Sequence, residues 1–323
     1  MNDYSSDAKG VTTPQVITFD PIMPLDMAVH AERVGVKKAS ADSTTTIILS
    51  LLAGAFISFG AIFATTIGAG NIVVVSADGG AAFSAALPYG VTRLLIGLVF
   101  SLGLILVVIA GAELFTGNVL IVMAWAGGKV STRALLRNWT IVFAGNFVGA
   151  FLTAALMFCT TQYTFGDGSV GLAALNTANA KATLGFIPAL TLGILCNVLV
   201  CLAVWMCYSA RTTVGKIFAS VPPIAAFAAA GFEHCIANVY FIPMGLFIRA
   251  GAPESFWASI GKTPHDFSAL TWENFLIANL LPVTIGNIIG GAVMVAAVYW
   301  FIYLRKTPSR RLDDQLHAGQ ARQ

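Results

Sequence analysis

The sequence is poor in charge, and the little it has is unevenly placed. Asp, Glu, Lys and Arg make up 10% of its 323 residues, against roughly 25% in soluble domains. Residues 43–77, 138–166, 182–210 and 274–304 contain none of the four, and 94–128 and 217–248 contain one each, Glu113 and Glu233. A soluble fold of this length needs charge to wet its surface, so the scarcity excludes that class. The five cysteines are odd in number, lie in or beside apolar runs and form no Cys-x-x-Cys pair. That pattern excludes a disulfide framework or a zinc site and leaves packing roles. No His-rich, Cys-rich or glycine-loop signature of an enzyme or cofactor site occurs, so neither a catalytic function nor a cofactor or metal is expected. The first 40 residues are too polar for a signal peptide, and the first apolar run serves as its own insertion signal.

What is present is apolar length. The chain is 57% hydrophobic, with a mean hydropathy of +0.80. A spanning helix takes about 20 apolar residues, and in hydrocarbon the backbone must satisfy its own hydrogen bonds. The six runs therefore predict an all-α integral membrane protein with six transmembrane helices. Fourteen of the 18 Lys and Arg fall on the side shared by the two tails and the second and fourth loops; Arg93, Lys181, Arg249 and Lys262 fall on the other. This asymmetry predicts cytoplasmic termini and explains the net charge of +3 without a nucleic-acid partner. Three regions follow: a tail at 1–42 carrying an amphipathic helix over 25–38, a transmembrane domain at 43–304, and a polar, disordered tail at 305–323. The amphipathic helix lies on the membrane surface or against the bundle, as an anchor or as a flap under the passage.

The two halves of the transmembrane domain resemble each other. Gly111-Ala-Glu-Leu-Phe-Thr-Gly-Asn118 and Gly231-Phe-Glu-His-Cys-Ile-Ala-Asn238 share Gly-x-Glu-x4-Asn, and Gly145–Gly149 and Gly286–Gly290 share Gly-Asn-x-x-Gly. Both matches keep their order in a three-plus-three arrangement, which predicts inverted repeats at about 43–166 and 182–304. Transport folds of this kind place the solute site at broken helices near the midplane. The second and fifth helices are thus predicted to break at Glu113–Asn118 and Glu233–Asn238, aiming dipole ends at the centre. Thr116 and His234 are the polar groups expected to face each other across a narrow passage. Glu113, Glu233, Asn118 and Asn238 are expected to stabilise the loops, the carboxylates by accepting orphaned backbone N–H groups. Asn197, alone in the fourth span, reaches His234 or the opposing loop, or holds helices together. Phe100, Leu104, Leu114, Phe115, Val200 and Phe227 suit a greasy lining, although pattern alone favours packing for each.

Several segments carry a specific resemblance: Phe100-Ser-Leu-Gly-Leu-Ile-Leu106, Gly111–Thr116, Cys201-Leu-Ala-Val-Trp205, Gly231–Asn238 and Leu281–Gly291. With these, the chain from about Phe19 to Leu304 resembles the formate/nitrite transporter family, and within it the bacterial formate channels. The resemblance implies an aquaporin-like protomer with its own pore, a homopentamer in the bacterial inner membrane, and a small anion as substrate: formate, with nitrite and hydrosulfide for relatives. It places the pore histidine at His234, the loop threonine at Thr116, a pore-side asparagine at Asn197 and a vestibule lysine at Lys181. The constriction falls on Phe100, Leu104, Leu114, Phe115, Val200 and Phe227. On sequence alone Lys181 reads as a solvated loop charge. Gly117-Asn118, Val239 and the long Gly70–Ala85 loop depart from the formate-channel pattern and bear on selectivity and vestibule shape.

The expected mechanism follows from the cost of a bare ion in an apolar constriction, which runs to tens of kcal/mol at low dielectric. Lys181 and the helix dipoles draw the anion in, and His234 with Thr116 binds it. There it takes a proton and passes as the neutral acid. A water or glycerol channel would share the layout, but its Asn-Pro-Ala pair is absent.

Overall fold

The computed structural model describes residues 20–75 and 81–305; the expected tail beyond Arg305 and the first 19 residues lie outside that range. Helix α1 (Pro24–Ser40) starts where Pro24 supplies a helical φ, with Asp26 in its first turn and Lys37 and Lys38 in its last, matching the helix dipole at both ends. The span α2 (Ser43–Ile67) is capped by Asp42, which accepts from the Thr45 N–H at 2.9 Å. Where the long Gly- and Ala-rich loop was expected, the otherwise helical fold carries one small antiparallel hairpin, β1 (Ile72–Val75) and β2 (Ala81–Ala85). The chain continues as α3 (Tyr89–Gly111), α4 (Phe115–Ala126), α5 (Thr132–Cys159), α6 (Ser169–Ala182), α7 (Phe186–Ser209), α8 (Thr213–Ala230) and α9 (Cys235–Gly251). A short α10 (Glu254–Ile260) turns 113° away from α9, and α11 (Asn274–Leu304) completes the fold.

Six of these helices, α2, α3, α5, α7, α8 and α11, are long and apolar enough to cross a membrane. The second and fifth are interrupted as expected; the fifth divides into near-equal pieces, α8 with 18 residues and α9 with 17, whereas the second divides unequally, α3 with 23 and α4 with twelve. The order short helix, span, broken span, span occurs twice, as α1, α2, α3–α4, α5 and as α6, α7, α8–α9, α11. Each Gly-Asn-x-x-Gly motif is a close-packing seam of the small-x-x-x-small kind. A Cβ on Gly149 would collide with the Leu51 carbonyl of α2, and one on Gly290 with the Ile194 carbonyl of α7. Bulk is excluded at both seams, so the backbones meet.

Helix α1 does not stand apart from this bundle. Met27, Ala28, Val29 and Ala31 are buried in one cluster with Leu120–Ala124 of α4 and with Val295 and Ala296 of α11. Its buried Glu32 pairs with Lys129 at 2.8 Å, just beyond α4. Large apolar side chains such as Leu152, Leu156, Ile277, Val293 and Phe301 stay exposed on the outer faces of α5 and α11, the composition that lipid or a neighbouring subunit requires.

Candidate permeation site

Both breaks begin at a glycine with left-handed backbone, Gly111 at φ +80° and Gly231 at +81°, a conformation only glycine adopts without cost. The extended stretches are Ala112–Leu114 and Phe232–His234, shorter and earlier than the expected Glu113–Asn118 and Glu233–Asn238. Thr116, Asn118 and Asn238 therefore sit in the first turns of α4 and α9 rather than in loops. The helices restart early because a side chain from a neighbouring span takes the first free N–H. Asn146 Oδ1 accepts from Phe115 N at 2.8 Å, and Asn287 Oδ1 from Cys235 N at 3.0 Å. The same carboxamides donate to Ser50 O and Glu113 O in one half, and to Gly193 O and Glu233 O in the other. Each clamp thus joins three chain segments.

The carboxylates do not hold the orphaned N–H groups, contrary to expectation. Those of Glu113 and Glu233 go to the carbonyls of Leu49 and Leu192. The side chains instead anchor polar clusters of matching design. Glu113 accepts from Lys38 Nζ at 2.9 Å on each oxygen and from Asn118 at 2.6 Å. Glu233 accepts from Lys181 Nζ at 2.7 Å and from Asn238 at 2.7 Å. Asn138 and Asn279 complete the clusters by binding the Asn118 and Asn238 amides and the backbone carbonyls of Lys38 and Lys181. Lys181 is therefore no solvated loop charge: it ends helix α6, and its side chain is 15% exposed and ion-paired.

At the centre the match stops. His234 stands at the repeat position of Leu114, and its Nε2 lies 3.0 Å from Thr116 Oγ1, both side chains buried. His234 is also the N-cap of α9, its Nδ1 accepting from the Ala237 N–H at 3.2 Å. A backbone N–H can only donate, so Nδ1 is unprotonated and Nε2 carries the ring proton. The ring accordingly donates to Thr116 Oγ1, which leaves the threonine's own O–H free to donate to a third group. Among the described residues Asn197 makes no hydrogen bond to His234. Its amide donates to Thr116 O at 3.2 Å and to Asn287 O at 2.6 Å, tying α7 to the start of α4 and to α11.

Two cavities meet at His234. One, of about 630 Å³, is lined by Lys181, Glu233, Arg93, Asn238, Phe100, Phe227 and His234 among others. The other, of about 10 Å³ and thus room for roughly one water, is enclosed by Ile57, Phe100, Leu104, Leu114, Val200, Ile224, Phe227 and His234. Phe100 and Phe227 meet edge to face at 5.6 Å and stand between them. Five of the six expected constriction residues line this chamber. Phe115 lines neither cavity; its ring packs edge-on against Trp139 and Phe143. A cationic vestibule, a hydrogen-bonding pair and an apolar chamber in series make a path for a small polar solute.

The chain matches the formate/nitrite transporter family model over residues 25–301. It belongs to that family. It is 46% identical over 288 residues to the formate channel FocA of Escherichia coli K12, covering 89% of this chain and 96% of that one. To FocA of Haemophilus influenzae it is 40% identical, covering 91% and 98%. Among solved structures, a pentameric formate channel with formate bound superposes with a TM-score of 0.73 at 44% identity, covering 81% of this chain and 98% of that one. An FNT family ion channel superposes with a TM-score of 0.68 at 27% identity, covering 88% and 99%. Membership places the chain among multi-pass membrane transport proteins, not enzymes.

For a member of this family, the residues that sequence reading passed over are the ones that shape the breaks: Asn146, Asn287, Asn138, Asn279 and Lys38, with Ile57 and Ile224 in the chamber. The asparagines left a signal. Asn138 and Asn146, like Asn279 and Asn287, are eight residues apart, which returns them to one helix face after just over two turns. The Gly-Asn-x-x-Gly motifs announced the repeat, but nothing in them says that the asparagine faces the break of another span.

Proposed function

We propose that this protein is a channel for small monovalent anions, formate first among them, with one pore in each protomer of a homopentamer. The observation that carries the reading is the buried 3.0 Å contact between Thr116 Oγ1 and His234 Nε2, placed where a vestibule bearing cations gives way to an apolar chamber. A formate oxygen in the vestibule gains the free Thr116 hydroxyl as a donor in place of the water it leaves, with the ring N–H holding that hydroxyl in position. Beyond lie aliphatic and aromatic side chains, and an ion there pays the Born cost of low dielectric. In one concerted step the Thr116 hydroxyl gives its proton to the anion, the His234 Nε2–H resupplies Thr116 and the ring takes a proton back from vestibule water. That removes the cost, so the solute crosses as the neutral acid and flux rises as pH falls. The bacterial inner membrane with cytoplasmic termini is the placement that the relatives and the Lys and Arg distribution support. The matching order of helices supports inverted repeats running from α1 to α5 and from α6 to α11, wider than the 43–166 and 182–304 read from sequence.

Stopped-flow swelling of proteoliposomes with formate, nitrite, hydrosulfide and glycerol tests the substrate class. Formate uptake without glycerol uptake is expected, and glycerol uptake alone overturns the reading. His234→Asn removes the titratable ring while keeping donor and acceptor atoms. Its flux-versus-pH curve is expected to flatten, and an unchanged curve rejects the proton step.

A further inference from the structure

The vestibule's positive charge does not sit where an ion count first suggests. Among the described residues its lining contains three charged side chains, Arg93, Lys181 and Glu233. Lys181 and Glu233 are 2.7 Å apart and cancel. Arg93 has no carboxylate partner among the described residues. Its Nε donates to Ala229 O at 2.9 Å and its Nη2 to Ala228 O, both in the last turn of α8. Those two bonds leave further guanidinium N–H donors in a fixed fork, the geometry that suits an oxyanion.

The carbonyls it holds matter equally. A helix C-terminus carries the equivalent of about half a negative charge, and that of α8 lies in the vestibule wall, since Ala228, Ala230 and Gly231 line the cavity. Bare carbonyls there would repel an arriving anion. Stabilising the break does not require an arginine, however. The equivalent end of α3 at Gly111 has the same left-handed glycine and the same asparagine clamp. No described side chain donates to the carbonyls of Val108, Ile109 or Ala110.

We infer that Arg93 forms the anion-docking site of the Lys181-side vestibule, cancelling the α8 dipole and presenting the net positive charge that gathers oxyanions before they reach His234. The inference rests on the anion-channel reading. It differs from that reading in assigning the attraction to Arg93, with the Lys181–Glu233 pair as a neutral neighbour. Guanidinium is charged at every working pH, so docking is independent of pH even where permeation is not.

Two measurements test it. Crystals soaked in bromide are expected to show an anomalous peak against the Arg93 guanidinium that Arg93→Gln removes. This readout needs no transport, so it decides the site even if formate proves not to be the cargo. In proteoliposomes with formate supplied to the Lys181 face, Arg93→Gln should raise the half-saturating concentration about fivefold, the weight of one partly screened charge at close range. It should also flatten the dependence on ionic strength, and Arg93→Lys should restore both. Bromide seated at Lys181 with none at Arg93 overturns the inference. So does an Arg93→Lys channel as impaired as Arg93→Gln, because that outcome makes Arg93 a helix cap and not a charge.

Discussion

The two helix breaks are built to one plan and finished differently. Each has a left-handed glycine, an extended glutamate, an asparagine clamp from the last span of its half, and a lysine from a short helix. At the first break Lys38 is fully committed: it donates to both oxygens of Glu113 and, at 2.9 Å, to Asn118 Oδ1. At the second, Lys181 reaches one oxygen of Glu233, and Asn238 Oδ1 is buried with no partner among the described residues. The first break presents Leu114 where the second presents His234. Shared residues make the scaffold, and the unshared ones make the chemistry. A lysine held by three acceptors is a strut that fills its cluster; one held by a single carboxylate oxygen leaves an acceptor of the second cluster unfilled.

The largest effect should come from removing what the breaks share. Asn146→Leu and Asn287→Leu each strand a buried backbone N–H and two carbonyls, at about 2–4 kcal/mol. Thermal unfolding of the purified oligomer should show similar losses for both, and a large inequality would break the equivalence of the clamps. Lysine removal should separate the two halves. Lys38→Met leaves Glu113 and Asn118 short of three hydrogen bonds and should cost about 1–3 kcal/mol. Lys181→Met should cost less by about 1 kcal/mol, although its side chain is the less exposed of the two. Equal losses would mean that the count of bonds is the wrong measure.

The smallest effect concerns α1, which carries Lys38. His30 is half-buried against Tyr208, with Arg33 and Lys216 close by, and burial first and these cations second lower its pKa. A depressed folded-state pKa means that the docked helix favours neutral imidazole. Docking is therefore fully stable above about pH 6.5, the unbound value, and weakens as pH falls below it. Limited proteolysis at the α1–α2 junction should quicken between pH 7.5 and 5.5, and His30→Phe should abolish the difference. No change in wild type would show that α1 is held by Glu32–Lys129 and its apolar face alone.

Hydropathy is a property of each residue's transfer into lipid, so the six spans, their approximate limits and the membrane class needed no tertiary information. The glycines at 111 and 231 likewise announced breaks, because left-handed backbone is a local demand. The limits of the breaks were not legible, since the helices restart wherever an asparagine from another span meets the chain. Phe115 illustrates the same limit: it is apolar, adjacent to Leu114 and plausible as a lining residue, yet one step along a helix turns its ring toward Trp139 and Phe143.

Sequence by itself settled that this chain has six runs long and apolar enough to cross a membrane, repeats itself, and resembles the formate/nitrite transporter family, for these follow from composition and from motifs within single helices. Only the tertiary structure decided that His234 donates to Thr116, 118 residues away, that Lys181 is an ion-paired helix end, and that Lys38 has the matching place in the other half. Such contacts depend on which faces of distant helices are pressed together, and a linear pattern carries no information on the angle at which two helices meet.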